Sequence, residues 1–181
     1  MMDSDVDDAY LVQQAQEGYL DAFDMLVQRH GGLAYRVAYR LLGDHQEAQD
    51  VAQESLTSAW QNLSRFRGDS TFTTWLYRIV TRKSLNRLTR GKVSTSLDLL
   101  DEFADSAEGP GQLAQRREQD DAVTAAVNSL PLAQRTVIVL HHFEGLSYEQ
   151  VAAVTGSTVP AVRSHLFRAR RALGVTLARW R

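Results

Sequence analysis

The sequence contains no cysteine and only three prolines among its 181 residues. Without cysteine, the chain has no means of forming a disulfide, a thiolate metal site or a thiol redox sensor of its own. No apolar run approaches the roughly 20 residues that span a bilayer, and the acidic start, Met1 to Asp8, does not resemble a secretory signal. We therefore expect a cytoplasmic protein without a membrane segment.

Alternation of apolar and polar residues is also missing at any useful length, so we predict an all-α fold. Helical spacing ends at Arg90-Gly91-Lys92, and the stretch that follows up to Gly111 is rich in Ser, Thr, Asp and Gly, as is typical of a linker. A chain of this length can form one domain or two small ones. We predict two small helical domains, residues 9–91 and 112–181, joined by a flexible acidic linker over residues 92–111.

Positive and negative charges are sorted along the chain, although the formal net charge is only −2. The first 28 residues contain no lysine or arginine, whereas residues 63–92 contain eight basic residues against one aspartate. Residues 98–121 hold eight acids against two arginines, and six arginines without an acid follow from Val159 onward. Such runs can be solvated faces, but two separate basic segments also suit a protein that contacts nucleic acid through two surfaces.

Residues 145–173 have the pattern of a helix-turn-helix, a motif that places its second helix in a DNA major groove. Gly156 supplies a permissive turn residue between two segments with helical spacing of apolar residues. The second segment carries polar and basic side chains on its other face, namely Arg163, Ser164, His165, Arg168 and Arg171. The alternative interpretation is a helical hairpin whose basic face is merely solvated. We predict that this motif lies in the C-terminal domain.

Residues 44–63 predict an amphipathic helix with Asp44 as its N-cap. The predicted buried stripe consists of Ala48, Val51, Ala52, Leu56, Ala59, Trp60 and Leu63. The exposed face collects Glu47, Asp50, Gln53 and Glu54. Because these carboxylates come from one helix without a second contributing segment, we do not expect a metal site. A solvated face or a protein-docking face is the better interpretation.

The segment after this helix combines a polar loop, Phe66 to Phe72, with a basic helix predicted from Thr73 to Thr89. On that helix Leu76, Ile79 and Val80 are predicted to pack inward, while Arg78, Arg82, Asn86 and Arg90 share another face. A polar loop beside a basic helix suits an unstacked single strand, whose backbone is held by charge while a base enters a pocket. For Phe72 and Trp75 the alternative is a place in the core.

Four motifs, in this order, resemble those of extracytoplasmic-function sigma factors, which belong to the sigma-70 family of bacterial RNA polymerase. The first is D-x-x-x-A-x-D-x-x-Q-E-x-x-x-x-x-W from Asp44 to Trp60, and the second is F-R-G-x-S-x-F-x-T-W-L-Y-R-I from Phe66 to Ile79. The third is L-P-x-x-Q-R from Leu130, and the fourth is E-G-L-S-Y-x-x-V-A-x-x-x-G from Glu144. The resemblance covers nearly the whole chain.

The resemblance implies that the first domain docks on core RNA polymerase, at the clamp helices of the largest subunit, through Glu47, Asp50, Gln53 and Glu54. It implies that the loop and the helix after it capture the melted −10 element of promoter DNA. That surface comprises Arg67, Gly68, Asp69, Ser70, Thr71, Phe72, Trp75, Arg78, Arg82, Lys83 and Asn86. The C-terminal domain would contact the polymerase flap and bind the −35 duplex. The residues for the −35 duplex are Arg163, Ser164, His165, Arg168, Arg170 and Arg171.

The resemblance carries further expectations about partners and chemistry. The acidic linker would pass through the nucleic-acid channel of the polymerase, where negative charge mimics an RNA backbone. An anti-sigma factor is a common partner in the family, but no residue of this sequence identifies one. The reaction belongs to the polymerase, so the chain is expected not to be an enzyme and to need no cofactor.

Some positions depart from the family pattern. Pro160-Ala161 stands where many members have Gly-Thr, which removes one hydroxyl suited to a phosphate contact. Proline itself is tolerated in a first helical turn, where the amides lack intrahelical acceptors. His165 replaces a common arginine, and Arg82 and Asn86 stand where Asn and Asp are frequent. Promoter preference is therefore expected to differ from that of other members.

Two other classes of function each fit part of the sequence less well. A stand-alone helix-turn-helix regulator would account for residues 145–173 but would leave the motif order of the first domain unexplained. A helical enzyme would need convergent catalytic groups, and the adjacent His141 and His142 diverge on a helix. Neither HExxH nor GxSxG occurs in the sequence.

Overall fold

The computed structural model describes residues 7–95 and 123–177, which we call the N-terminal half and the C-terminal half. Every secondary-structure element in these two ranges is helical, which confirms the all-α prediction for the described part of the chain. The helices of the N-terminal half are α1 (Asp8–Gln16), α2 (Leu20–Leu42), α3 (His45–Asn62), a 3₁₀ turn (Leu63–Arg65) and α4 (Phe72–Thr95).

The C-terminal half consists of shorter helices. Residues 123–128 are helical and form α5, and α6 (Leu132–Ile138) continues into a π-helical turn (Val139–Phe143). The helix-turn-helix follows as α7 (Tyr148–Thr155) and α8 (Val159–Leu177). In the described ranges no helix is both long enough and apolar enough to cross a membrane.

Helix α4 is longer than the sequence pattern predicted. The predicted end at Arg90-Gly91-Lys92 is wrong, because the helix continues to Thr95. A single glycine inside a helix costs only about 1 kcal/mol relative to alanine, and no proline follows to stop the helix. The rest of the predicted linker, residues 96–111, lies outside the described residues, as does the predicted start of the second domain at residue 112.

The N-terminal half is a helical bundle in which α2, α3 and α4 pack on one another and α1 packs against α2. Its centre is formed by side chains without solvent exposure, among them Leu26 and Val37 of α2 and Leu76 and Val80 of α4. Leu76, Ile79 and Val80 were all predicted to face inward, and all three are buried. The core thereby fixes the rotation of α4 about its own axis.

Helix α3 buries its stripe as predicted except at two positions. Ala48, Val51, Ala52, Ala59 and Leu63 are buried. Leu56 is only half-buried, and Trp60 remains 37% exposed. The prediction that Trp60 belongs to the buried stripe is therefore wrong. Its ring instead packs at a tilt against Phe23, with ring centroids 4.9 Å apart, at the edge of the bundle.

The connection between α2 and α3 is tightly specified. Gly43 ends α2 in the left-handed conformation at φ +77°, and a Cβ atom there would also collide with the side-chain nitrogen of Asn128. Asp44 then caps α3, as predicted, since its Oδ1 accepts a hydrogen bond of 2.7 Å from the backbone nitrogen of Glu47. The C-terminal half therefore packs directly over this turn.

The helix-turn-helix has well-formed caps. Ser147 and Gln150 form a reciprocal capping box at the start of α7, and Gly156 ends the helix at φ +66°. Helix α8 begins at Val159, so Pro160 lies in its first turn, where the missing amide proton does no harm. The apolar stripe of α8 is buried at Val162, Leu166 and Ala169.

We predict that the capping box contributes measurably to stability. Ser147→Ala should lower the free energy of unfolding by about 1 kcal/mol, because it leaves the backbone nitrogen of Gln150 without its 3.1 Å acceptor. Thermal unfolding followed by circular dichroism measures this, with Ser157→Ala at an exposed turn position as the control. Equal stability of the two variants would contradict the assignment.

Candidate nucleic-acid and protein interfaces

The acidic face of α3 forms ion pairs with basic side chains of α4. Arg87 forms ion pairs with Glu47 at 3.1 Å and with Glu54 at 2.9 Å, and Lys83 lies 3.8 Å from Glu54. Asp50 accepts a hydrogen bond of 3.2 Å from Gln46 of the same helix. The four residues predicted for docking do share one face, but two of them are balanced by positive charge from the neighbouring helix.

This network divides the residues predicted to bind the −10 strand. Lys83 faces α3 through its contact with Glu54, whereas Arg78, Arg82 and Asn86 line a cleft on another side of α4. Successive residues of a helix are about 100° apart, so a side chain next in sequence points in another direction. The side chains of Lys83 and Arg82 therefore lie on different faces of α4, and only Arg82 faces the cleft.

An apolar groove lies beside the acidic face, and the sequence analysis missed it. It is lined by Leu20, Phe23, Val27, Leu56 and Trp60, together with Gln53 and Thr57 at the boundary with the acidic face. Leu20 is 62% exposed and lines the groove with other apolar side chains, so it belongs to a contiguous apolar surface. In the sequence, Leu20 and Trp60 are apolar residues within helical patterns, and such residues fit a buried helix face equally well.

The predicted strand-capture loop, Phe66 to Phe72, is held at both ends, and its last residue is already the first residue of α4. The side-chain nitrogen of Gln16 donates to the backbone oxygens of Leu63 at 2.8 Å and Phe66 at 2.9 Å. At the other end Thr71 caps α4, because its Oγ1 accepts from the backbone nitrogen of Thr74 at 3.1 Å. Between these anchors Arg67, Gly68 and Asp69 are exposed, with Gly68 at φ +76°. The hydrogen bonds at its two ends therefore define where the exposed polar groups of the loop lie.

The aromatic residues of this region have different surroundings. Phe72 is buried and packs near His30 and Trp75, with ring centroids 5.5 and 5.9 Å apart. Trp75 is half-buried and packs against Phe66 at 5.1 Å. Phe72 thus packs in the core under the loop. Of these aromatic residues, Trp75 is the one that lines the cleft described next.

Helix α4 packs against α7 of the helix-turn-helix, and a cleft lies between part of α4 and the end of α7. One wall carries Trp75, Arg78, Arg82 and Asn86 of α4, and the other wall is residues 153–156 at the end of α7 and its turn. The basic face of α4 therefore looks toward the C-terminal half across a narrow space. No local pattern indicates this juxtaposition, because the two walls are about 70 residues apart in the chain.

Helix α8 presents a basic surface to solvent. Arg163, Arg168, Arg170 and Arg171 are exposed. Ser164 is half-buried and accepts a hydrogen bond of 2.7 Å from Arg168, and the guanidinium of Arg163 lies 5.5 Å from the centroid of the Tyr148 ring. Arg163 is thereby oriented by α7, the first helix of the motif.

Two residues of α8 differ from what the sequence suggested. His165 is half-buried, and its Nδ1 atom is fully covered without a hydrogen-bond partner among the described residues. Phe167, which the sequence analysis did not single out, is 68% exposed and lies one turn from both Arg163 and Arg171. An apolar ring outside the buried stripe and among arginines was the signal that could have identified it.

No group of three or more metal-binding side chains lies together within residues 7–95 and 123–177. The described surfaces are instead charged, apolar or aromatic. Their chemistry suits macromolecular partners: an acidic face with an apolar groove, a polar loop with a basic helix, and a basic helix with one exposed ring.

Both halves of the chain match known protein families. Residues 26–93 match the family described as Sigma-70 region 2, and residues 120–173 match the family described as Sigma-70, region 4. The RNA polymerase sigma-H factor of Pseudomonas aeruginosa is 40% identical over 180 residues, which cover 94% of this chain and 93% of the relative. The ECF RNA polymerase sigma-E factor of Escherichia coli K12 is 35% identical over 182 residues, which cover 95% of each chain.

Two solved structures resemble both halves together. CnrH in complex with the cytosolic domain of CnrY superposes with a TM-score of 0.73 at 31% identity, covering 94% of this chain and 97% of that one. The sigma factor RpoE in complex with the anti-sigma factor NepR from Bartonella quintana gives a TM-score of 0.71 at 25% identity, covering 86% and 96%. In both, the similarity extends across the N-terminal and C-terminal halves.

We predict that the ion pairs between α3 and α4 contribute little to folding. Arg87→Ala and Glu54→Gln should each change the free energy of unfolding by less than about 1 kcal/mol, because both side chains are substantially exposed. A double-mutant cycle by urea unfolding measures the coupling, and Leu76→Ala, at a fully buried site, should lose about 2–5 kcal/mol as a positive control. A coupling of several kcal/mol would contradict this view.

Proposed function

Because this chain belongs to the extracytoplasmic-function sigma factors of the sigma-70 family and acts as an alternative sigma factor in transcription initiation, we propose how its surfaces divide that work. The N-terminal half docks on core RNA polymerase and captures the melted −10 strand, and the C-terminal half reads the −35 duplex. The chemistry of RNA synthesis remains with the polymerase, and this chain supplies no catalytic group.

One observation carries this proposal. Three surfaces of different chemistry lie on separate elements of a single helical framework: the acidic face on α3, the polar loop before α4, and the basic face of α8. A stand-alone DNA-binding regulator would need only the last of them. The first two acquire a use when the partner is a polymerase that opens the duplex.

For docking, we propose that Asp50, Gln53 and Glu54 bind the clamp helices of the largest polymerase subunit. The adjoining apolar groove supports this, since protein interfaces commonly combine an apolar centre with a polar rim. Within the described residues, Asp50 makes no ion pair with α4 of the kind that Glu54 makes with Lys83 and Arg87. We therefore assign Asp50 the leading electrostatic role. The C-terminal half would contact the flap of the polymerase.

For the −10 element, we propose that the exposed loop atoms of residues 67–71 hold a base that has left the duplex stack. Extrusion of a base costs a few kcal/mol, so this step belongs to the holoenzyme, in which the polymerase adds contacts to the separated strands. Arg78, Arg82 and Asn86 would follow the strand backbone, where positive charge contributes affinity with little base preference. Phe72 contributes by supporting the loop.

For the −35 element, we propose that α8 enters the major groove with Arg163, Ser164 and Arg168 toward base edges. Arg170 and Arg171 lie farther along the helix and suit backbone phosphates. Phe167 is added to this surface, because an exposed apolar ring can contact the methyl group of thymine, which only the major groove displays. The half-buried His165 is the weakest candidate for a base contact.

We propose an anti-sigma factor as a further partner. Two structures that resemble this chain across both halves are complexes, CnrH with the cytosolic domain of CnrY and the sigma factor RpoE with the anti-sigma factor NepR. An inhibitory protein of that kind would have the exposed apolar groove around Leu20 and Trp60 available to it. The same groove would then be contested by polymerase and inhibitor.

We predict that Asp50→Lys lowers the affinity for core polymerase at least about tenfold, because it places positive charge where a negative face meets the partner. Asp21→Lys, at an exposed aspartate of α2, makes the same change in net charge and is the control. Reversal of Glu54 is avoided, since a lysine there would face Arg87 and Lys83. Titration of labelled chain with core polymerase, with helix content checked by circular dichroism, measures the effect; equal affinities for the two variants would remove α3 from the interface.

We predict that Arg163→Ala and Phe167→Ala change the −35 preference of the holoenzyme. Loss of a base contact by Arg163 should cost about 1–3 kcal/mol of discrimination, and loss of the ring should reduce the preference for thymine. The measurement is sequencing of transcripts from a promoter library with randomised −35 and −10 elements. Val175→Ala, at another exposed apolar position of α8, is the control. Unchanged −35 preference in both variants would show that α8 is oriented differently.

A further inference from the structure

A buried carboxylate, that of Glu144, lies in the contact between the two halves of the chain. Glu144 follows the π-helical turn of the C-terminal half, and its side chain is only 3% exposed. Its Oε2 accepts a hydrogen bond of 3.2 Å from the hydroxyl of Tyr77 and lies 3.4 Å from the guanidinium of Arg36. Its Oε1 lies 3.7 Å from the guanidinium of Arg40. All three partners belong to the N-terminal half.

The Glu144 site is only partly satisfied. Oε1 is fully covered and has no hydrogen bond among the described residues, because Arg40 is too distant to donate one. Tyr77 can donate, since its own burial and then the negative charge of Glu144 raise the pKa of its hydroxyl. A buried carboxylate exchanges hydration for such pairing, and the balance is close to zero when the pairing is imperfect. A contact of this kind can be released.

Two other polar contacts between the halves involve residues next to this site, and α4 also packs against α7. The guanidinium of Arg40 lies 4.6 Å from the ring centroid of Phe143, the residue before Glu144. Arg135 of α6 donates a hydrogen bond of 2.8 Å to the backbone oxygen of Leu41. Glu144 is the carboxylate at the centre of this set, and its partners lie on both α2 and α4. It therefore fixes the C-terminal half relative to two helices of the bundle.

The closed arrangement places the helix-turn-helix in front of the basic face of α4. Residues 153–156 form the wall opposite Trp75, Arg78, Arg82 and Asn86. A nucleic-acid strand following that face would have to enter the cleft between the two walls. The end of α7 therefore stands where the strand backbone would lie.

The closed arrangement is also too small for a promoter. Elements named −10 and −35 are about 25 base pairs apart, which is roughly 85 Å of duplex at 3.4 Å per base pair. A compact chain of this length has a radius of gyration of about 16 Å. Its two DNA-facing surfaces reach both elements only if the halves separate.

We propose that Glu144 is a latch that holds the free chain closed and limits access to the strand-binding face of α4 until the latch is released. The occupant of the Arg36, Arg40 and Tyr77 site is thus the chain's own C-terminal half. The closure itself is independent of the proposed function, and only its effect on strand capture rests on that function.

The absence of cysteine makes the latch directly testable, because two introduced cysteines are the only labelling sites. Ser64→Cys and Ala133→Cys, both at exposed positions in opposite halves, would carry spin labels for distance measurement by pulsed electron paramagnetic resonance. Glu144→Gln removes the charge from one side of the contact. The double variant Arg36→Ala with Arg40→Ala removes the charges from the N-terminal side of the contact. Because the two latch variants alter different halves, a folding defect in one half would not produce the same distance change in both. Glu149→Gln, at an exposed glutamate of α7, is the matched control.

The expected result is one short distance in the parent chain and the Glu149→Gln control, and a longer, broader distribution in both latch variants. Binding of a single-stranded oligonucleotide with a −10 sequence to the free chain should then strengthen, by about tenfold if the open form is a tenth of the parent population. An unchanged distance in both latch variants would overturn the latch. Longer distances without stronger oligonucleotide binding would overturn its inhibitory role.

These outcomes are separable from failure of the proposed function. The distance measurement needs neither DNA nor polymerase, so it judges the latch alone. If the parent chain with core polymerase produced no promoter-specific transcripts, the assignment of surfaces would fail while the closure measured by the labels would stand.

Discussion

The packing of α4 into the N-terminal core is the constraint on which the other surfaces depend. Leu76 and Val80 have no solvent exposure, so the rotation of the helix about its axis is fixed. Every other face of α4 then has a defined direction. One face meets the acids of α3, another looks into the cleft, and Tyr77 points to the C-terminal half. A single buried stripe thereby orients the docking face, the strand-binding face and the contact between the halves.

Charge links these surfaces. Lys83 and Arg87 neutralise Glu54 in the free chain, and Arg36 and Arg40 neutralise Glu144. The first set is exposed and weak, so it stabilises the fold little and leaves α3 free to exchange partners. The second set surrounds a buried carboxylate, so its geometry is closely defined although its net contribution to stability is small. The difference in exposure decides which set acts as an adaptable surface and which as a joint.

The helix-turn-helix shows how caps and burial combine to present a reading surface. The capping box at Ser147 and the left-handed Gly156 define the ends of α7, and the buried Val162 and Leu166 fix the rotation of α8. The arginines of α8 and the exposed Phe167 consequently share the solvent side. His165 lies at the border of the buried stripe. Its residue type suggested a DNA contact, but its partial burial leaves less of the side chain accessible to DNA.

Local pattern alone was enough for the parts that depend on nearby residues. Apolar spacing identified the inward face of α4 and the two-part helical organisation, residue type identified the N-cap at Asp44 and the turn at Gly156, and motif order identified the family. Each of these follows from the period of a helix or from the conformational freedom of one residue. Two predictions from local pattern were wrong. The predicted end of α4 was too early, because a lone glycine does not stop a helix. Trp60 was predicted to be buried, because the groove that exposes it is formed together with a second helix.

Only the tertiary structure decided what depends on residues far apart in the chain. The separation of Lys83 from Arg82, the groove at Leu20, the exposed ring of Phe167 and the position of Glu144 between Arg36, Arg40 and Tyr77 all follow from how helices pack. Glu144 in the sequence is one acid in a turn motif, equally consistent with solvent. Burial against another half of the chain is a property of the packed surfaces, and no period or spacing within a segment encodes it.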